Sequence, residues 1–511
     1  MFIFEKYSFD KNTKIAKFFY KIEKKSINEK NQIDKKIYDF VEELDFSKIN
    51  FSKKFLDGSK ESEKLLNNLL FFLHLILGSS YYKLTCEKGI KIKSGTLKKS
   101  QSHFFERLYK KGLGEFFYEN QIDFRGLVSL PYNKFTDFKK VERNYKKDEV
   151  NCDTRKDKIL VPFGGGKDSS VLIALLEEEG LDFELFTLGD YKICNDVAEK
   201  FGKKIISVKR KLSPNLIELN KSEKFLNGHV PISSIYGAVA LFVAAAGDFN
   251  YIALANENSA NEPNIKWNGM EINHQWTKSI EFEDRFSEFI ENNITNIKYF
   301  SFLRPFNEEK ITELFLEKCE KIFDVFSSCN KNFVQEKNLF NQEKDEKNID
   351  KIKKIADEEN KKTKYNGPKL VKGEKKIKEK KWCCNCPKCA FVFVMFASKM
   401  GIEKTEKILG KNLFLDKNLE KTFLELAGFG EKKPFECVGT FNEVQDAFRE
   451  ILKNLSADEK KNISGDGKNF LNKIKNFLED ENNEKILGKG EKIFGENLVP
   501  EKFLKILKKN F

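Results

Sequence analysis

Long hydrophobic runs are absent. One of the longer ones, Leu69 to Leu77, is interrupted by His74 and falls well short of the ~20 apolar residues that cross a bilayer. The opening residues, Met-Phe-Ile-Phe-Glu-Lys, do not set a basic segment ahead of an apolar one, so they do not read as a secretory leader. Arginine is scarce, with eight residues among 92 basic ones. Lysine without arginine or interleaved aromatics reads bases poorly, so the formal charge of +13 does not argue for a nucleic-acid partner. Residues 335–381 hold 16 Lys against 10 Asp plus Glu, so nearly half of the excess lies in one low-complexity stretch of solvated charge. Ten cysteines in 511 residues do not make a secreted disulfide framework. Together these absences predict a soluble, cytoplasmic protein with no nucleic-acid and no membrane partner.

Glycine is concentrated where chemistry can use it. Residues 159–170 read Ile-Leu-Val-Pro-Phe-Gly-Gly-Gly-Lys-Asp-Ser-Ser: a buried strand, a turn freed of Cβ clashes, and the start of an apolar-periodic helix whose first amides face an anion. The spacing matches neither the P-loop nor the dinucleotide fingerprint. Gly-Gly-x-Asp-Ser after a strand looks instead like the PP-loop of ATP pyrophosphatases, which cut ATP between its α and β phosphates. That family's loop usually begins with Ser, and this chain has Gly164. The resemblance assigns Gly164, Gly165, Gly166, Lys167, Asp168, Ser169 and Ser170 to ATP, with Ser169 or Ser170 supplying the hydroxyl contact.

Around this loop, strands at Ile159 to Phe163, Phe183 to Leu188 and Ile205 to Val208 alternate with helices at Asp168 to Glu179 and Asp190 to Phe201. Such a βαβαβ order predicts an α/β fold, a parallel sheet with helices on both faces and a PP-loop/HUP-like core. A helix from Ile232 to Ala246 leads to a strand at Tyr251 to Ala255. Residues 1–150 read as a mixed α+β domain, with helices around Asp34 to Leu44 and from Glu63 to Leu77 and a strand at Gly89 to Lys93; substrate recognition is the expectation for it. Residues 151–333 and 382–440 form the expected ATP-binding catalytic domain, residues 334–381 a Lys-rich insertion, and residues 441–511 a tail of amphipathic helices.

The cysteines cluster as well. Cys383-x-x-Cys386-x-x-Cys389 has the spacing of a metal knuckle, and Cys329, just ahead of the insertion, supplies a fourth thiolate. Four thiolates suit tetrahedral Zn²⁺ and leave no open position, which predicts a structural site. Reduced cysteines without metal and an iron–sulfur cluster are the competing readings, and Cys384 is an alternative to Cys383 that breaks the even spacing. A similar four-cysteine set occurs in the deazapurine nitrile synthases, which are also PP-loop enzymes.

The third constellation is polar. LNGHVPISSIY at residues 226–236 and NENSANEPNIKWNGMEINHQWTKSIEFE at residues 256–283 fall where an α/β sheet presents its active-site loops. They hold Glu257, Glu262, Lys278, Glu281 and Glu283, which among them can bind Mg²⁺, orient substrate or move protons, and His229 and His274, for which catalytic and satisfied structural readings compete.

With NGHVP, NENSAN, NHQWTKS, SCN, WCCNCPKC, SSYYK and YKKGLGEFFYENQ assembled, the chain resembles the ATP-dependent epimerases that invert glutamate in UDP-N-acetylmuramoyl-L-alanyl-L-glutamate, within the PP-loop superfamily. The family usually carries Arg where this chain has Asn258. The resemblance implies an AMP-forming isomerase of peptidoglycan precursor synthesis that uses ATP and Mg²⁺ and takes a UDP-linked muramoyl dipeptide. Asp168 is then expected at the metal and phosphates. His274 is the first candidate for the base at Cα and Glu257 the second. The rival readings are a PP-loop ligase or tRNA-modifying enzyme that adenylates another group, and a non-catalytic nucleotide-binding scaffold.

Overall fold

Strands from two separate stretches of chain pair into one nine-stranded sheet. The computed structural model describes residues 1–27, 33–133, 157–330, 381–430, 432–455, 466–479 and 496–510. The strands are β1 (Phe2–Asp10), β2 (Ile15–Ile27), β3 (Ile33–Asp45), β4 (Ile90–Ile92), β5 (Ile159–Pro162), β6 (Phe183–Leu188), β7 (Ile205–Lys211), β8 (Tyr251–Leu254), β9 (Ile265–Trp267), β10 (Met270–Ile272) and β11 (Lys298–Ser301). The sheet order is β11-β8-β5-β6-β7-β3-β2-β1-β4, and β9 and β10 form a separate hairpin. From β11 to β7 every neighbouring pair is parallel, as the alternation of strands and helices predicts. β3 then pairs antiparallel with β7 through Glu43 to Asp45, so the N-terminal strands extend the same sheet.

Alternate residues along the parallel strands enter two different cores. Leu160, Phe186, Val208 and Ile252 face one that holds helices Lys60–Leu77 and Ile232–Gly247. Ile159, Val161, Leu185 and Ala253 face the other, with helices Lys167–Glu178, Glu308–Lys318 and Pro387–Met400. Both faces are therefore covered, which is what lets a parallel strand be apolar throughout. Helix Lys60–Tyr82 is long and apolar enough to cross a membrane, but 78% of that window is buried inside the fold. His74 is satisfied there: Nδ1 meets Ser94 Oγ at 3.1 Å, Nε2 meets the Phe19 carbonyl at 3.1 Å, and burial lowers its pKa to about 3.

One expectation fails. The helix around Asp34 to Leu44 is instead strand β3, paired along its length with β2. Ile37, Phe40, Val41 and Leu44 have helical spacing, yet the buried positions are Phe40, Glu42 and Leu44, the period of a strand. A buried Glu42 hides that alternation. It is tolerated because Arg210 Nε on neighbouring β7 meets its Oε1 at 2.6 Å. The strand expected at Gly89 to Lys93 is β4. The Lys-rich stretch lies outside the described residues except at its last position, Lys381. The C-terminal region is helical, with helices at Ile402–Leu409, Glu420–Leu426, Phe441–Asn454, Asp466–Leu478 and Glu501–Lys509.

Candidate active site

The glycine loop follows β5, at the carboxyl edge of the sheet where open α/β folds bind ligands. Gly165 has φ +70, and a Cβ there would lie 3.3 Å from the Ile193 carbonyl, so the turn requires glycine. Gly164 is exposed, and a Cβ on it would meet nothing within 4 Å. Ser328 Oγ accepts the Lys167 amide at 3.1 Å, which ties the loop to the segment bearing Cys329. Ser169 and Ser170 both donate to the Gly166 carbonyl, at 3.2 and 2.8 Å. The Lys167 side chain turns inward and is 1% exposed, with its ammonium 2.6 Å from Asp168 Oδ1 and 2.7 Å from Glu308 Oε2. Burial alone would raise the Asp168 pKa; the Lys167 and Lys388 ammoniums bring it below the ordinary value. Glu308 Oε1 is buried with no hydrogen-bond partner, an acceptor aimed at nothing the chain provides.

Glu257 follows β8. Burial first, then the Glu308 and Asp168 carboxylates, raise its pKa to about 7. Its backbone and that of Lys278 are fixed by one buried side chain: Arg304 donates Nη1 to the Glu257 carbonyl and Nη2 to the Lys278 carbonyl, and Nη2 also meets Glu283 Oε2 at 2.9 Å. Glu283 is thereby committed to structure, and Glu281 to Arg107 and the Trp276 indole. Glu443, at the start of helix Phe441–Asn454, accepts the Glu308 amide at 2.7 Å and the Ser259 hydroxyl at 2.6 Å.

Beyond Lys278 lies a second charged group. Lys278 Nζ donates to Cys437 Sγ at 3.1 Å, and His274, whose Nδ1 meets Glu115 Oε2, is coupled electrostatically to the same thiol. Burial would raise the Cys437 pKa, but Lys278, His274 and Lys388 lower it to about 6. Burial would lower that of His274, but Cys437 and Glu115 raise it to about 10. At neutral pH this is a thiolate facing an imidazolium. His229 Nδ1 lies 3.1 Å from Glu115 Oε2, and burial and His274 lower its pKa to about 4.

The motif residues outside the loop hold these groups in place. Lys83, the last residue of SSYYK, donates to Asn227 Oδ1 at 2.9 Å and the Gly228 carbonyl at 2.7 Å, which shapes the His229 loop. YKKGLGEFFYENQ carries Glu115 and Asn120, the latter bonded to the Asn227 carbonyl at 3.2 Å. Asn264 Nδ2 meets the Pro434 carbonyl at 2.7 Å and Gln275 Nε2 the Val438 carbonyl at 3.3 Å, and these bonds strap the Cys437 segment onto the polar loop.

The four cysteines also meet. Cys329, Cys383, Cys386 and Cys389 offer sulfurs that all lie within 4.8 Å of one another, with Cys383 and Cys389 3.7 Å apart. Three of the four residues are buried. Such a set can hold a metal ion. Cys384 points elsewhere, toward the Leu409 carbonyl at 3.5 Å.

Asp168, Glu257 and His274 thus fall along one charged line at the sheet's carboxyl edge. Two of its members, Glu308 and Cys437, carry no sequence signal that separates them from other Glu and Cys residues, and Glu115 is marked only by lying in YKKGLGEFFYENQ. Polar groups converging at that edge define an enzyme of the α/β class. A family model for the MurL N-terminal domain matches residues 1–302, and one for the MurL C-terminal domain matches residues 371–483. The chain belongs to the MurL family. Its relatives include proteins named UDP-N-acetyl-alpha-D-muramoyl-L-alanyl-L-glutamate epimerase. The one from Micromonospora sp. is 30% identical over 379 residues, 74% of this chain and 73% of the relative. Those from Xanthomonas oryzae pv. oryzae and Salinispora tropica are each 29% identical, over 74% and 75% of this chain and 73% of each relative.

Proposed function

We propose that the protein inverts the glutamate of UDP-N-acetylmuramoyl-L-alanyl-L-glutamate by way of a glutamyl-adenylate, converting ATP to AMP and pyrophosphate. The observation that carries this reading is the unbroken run of charge from the glycine loop through Asp168, Glu257 and Lys278 to the thiol and imidazole. It sets a site for phosphates beside a site for proton transfer. Adenylation gives the pairing a purpose. The Cα proton beside a free carboxylate resists removal because a carbanion would sit next to an anion, and joining that carboxylate to AMP cancels the charge.

In this reading the amides of Gly164 to Ser170 cradle the departing pyrophosphate. Asp168 and Glu257 would hold Mg²⁺, which offsets phosphate charge when bound. The orphaned Glu308 oxygen and the open space at Gly164 fit such an occupant. Deprotonation on one face of the adenylate, reprotonation on the other and hydrolysis complete the reaction, and hydrolysis draws the sequence forward. Residues 1–150 would help recognise the substrate, since Glu115 and Lys83 reach the site. The four-cysteine cluster would hold a structural Zn²⁺.

Incubation with ATP, Mg²⁺ and the UDP-linked dipeptide, with assays of AMP, pyrophosphate and glutamate chirality, tests this. Production of all three supports the proposal. AMP and pyrophosphate without D-glutamate would remove the epimerase assignment, and intact ATP would remove adenylation. Asp168→Asn is expected to abolish AMP release; an unchanged rate would refute its role.

A further inference from the structure

Resting on that adenylation reading, we propose that Cys437 is the catalytic base that takes the Cα proton of the activated glutamyl residue, with Lys278 holding the adjacent carboxyl oxygen. Lys278 stands between the two ends of the site. It is attracted to Glu257 and Asp168 on the phosphate side and donates to Cys437 on the other. A carboxyl group bound at the phosphate end would lie beside this ammonium, and Cα is one bond from the carboxyl carbon. The group sharing Lys278 on the far side is the thiol.

The alternatives serve less well. His274 is held as an imidazolium by Glu115 and Cys437, so near neutrality it has no lone pair with which to take a proton. Glu257 is 4% exposed and lies among the carboxylates of the phosphate end. Cys437 is half-buried, and cations face it from several elements: Lys278 and His274 on the polar loop, Lys388 on helix Pro387–Met400, and Lys433 on its own segment. These charges favour thiolate over thiol at neutral pH.

In the step, the Cα–H bond breaks and its proton goes to Sγ. The electron pair moves into the enolate, whose oxygen carries the charge beside Lys278. A solvent-derived proton forms the new Cα–H bond on the opposite face, and the thiol returns its proton to water. No oxidant or reductant is needed.

The test compares wild type with Cys437→Ala in D₂O with ATP, Mg²⁺ and the dipeptide substrate. In a single turnover the variant should still release pyrophosphate, which leaves as the adenylate forms, within about threefold of wild type, while D-glutamate formation and Cα deuterium uptake fall about 10²- to 10⁴-fold. Epimerisation within threefold of wild type, or single-turnover pyrophosphate release lost in step with epimerisation, overturns the assignment. Wild type that makes D-glutamate without AMP would sink the adenylation reading alone, and an inert Cys437→Ala would still support the base. A second measurement needs no variant: iodoacetamide labelling of the wild-type protein, mapped to Cys437. The labelling rate should titrate near pH 6 and drop with bound dipeptide. Titration only near the free-thiol value of about 8.5 would overturn the proposal.

Discussion

Replacing Gly164 with Ser adds a hydroxyl where the chain leaves room for one. The Cβ would meet no atom within 4 Å, so the substitution carries no packing penalty. The residue lies outside the left-handed region, since among its neighbours only Gly165 has positive φ. Removing the backbone freedom of glycine from the unfolded chain should then leave stability equal or raised by about 0.4–1 kcal/mol. A hydrogen bond from the new hydroxyl to a phosphate oxygen is charge-assisted and contributes about 1.5–3 kcal/mol. Because Gly164 is exposed, the low end applies, and 1.5 kcal/mol corresponds to about tenfold in rate or affinity. The expected result is a rise of about tenfold in kcat/KM for ATP, read as pyrophosphate release, with an unchanged or higher melting temperature. A folded variant with unaltered kcat/KM would mean that no phosphate passes this position, and the glycine loop would lose its assigned role.

Lys167→Met should destabilise the protein by about 3 kcal/mol, because it leaves Glu308 an uncompensated buried carboxylate beside half-buried Asp168; adding Glu308→Gln should recover part of the loss in urea melts, and a single variant as stable as wild type would contradict the pairing. The folded pKa of Glu257, about 7, lies above its ordinary value of about 4.3. Its contribution to stability is thus complete below about pH 4.3 and lost as pH rises through 7. Glu257→Gln should therefore gain stability relative to wild type between pH 5 and pH 8, and a flat difference across that range would exclude the shift. Cys329→Ser and Cys386→Ser should each lower bound metal in elemental analysis, whereas full occupancy in both would rule out these ligands.

How much of this was legible in the sequence depended on distance along the chain. The glycine loop and the βαβαβ order are local, and composition plus period exposed them. β3 was misread because its buried Glu42 interrupts the apolar alternation, and only the Arg210 guanidinium on a distant strand explains why a carboxylate is tolerated there. The cysteine set was legible once the Lys-rich stretch was set aside. Glu115 is one of two acids in an aromatic-rich segment, and Cys437 a single thiol outside every spaced pair. Each gains meaning only from the partner it meets 159 positions away, Glu115 from His274 and Cys437 from Lys278. Sequence periodicity does not report contacts of that span.

The pinning of Cys329 beside Cys383, reinforced by the Ser327 hydroxyl on the Lys381 carbonyl at 2.7 Å, fixes both ends of residues 331–380 at one point. A metal joining the four sulfurs would thus tie the two described flanks of that stretch, at Asn330 and Lys381, to a single point. The glycine loop, held to the same flank through Ser328, would take its position from that tie.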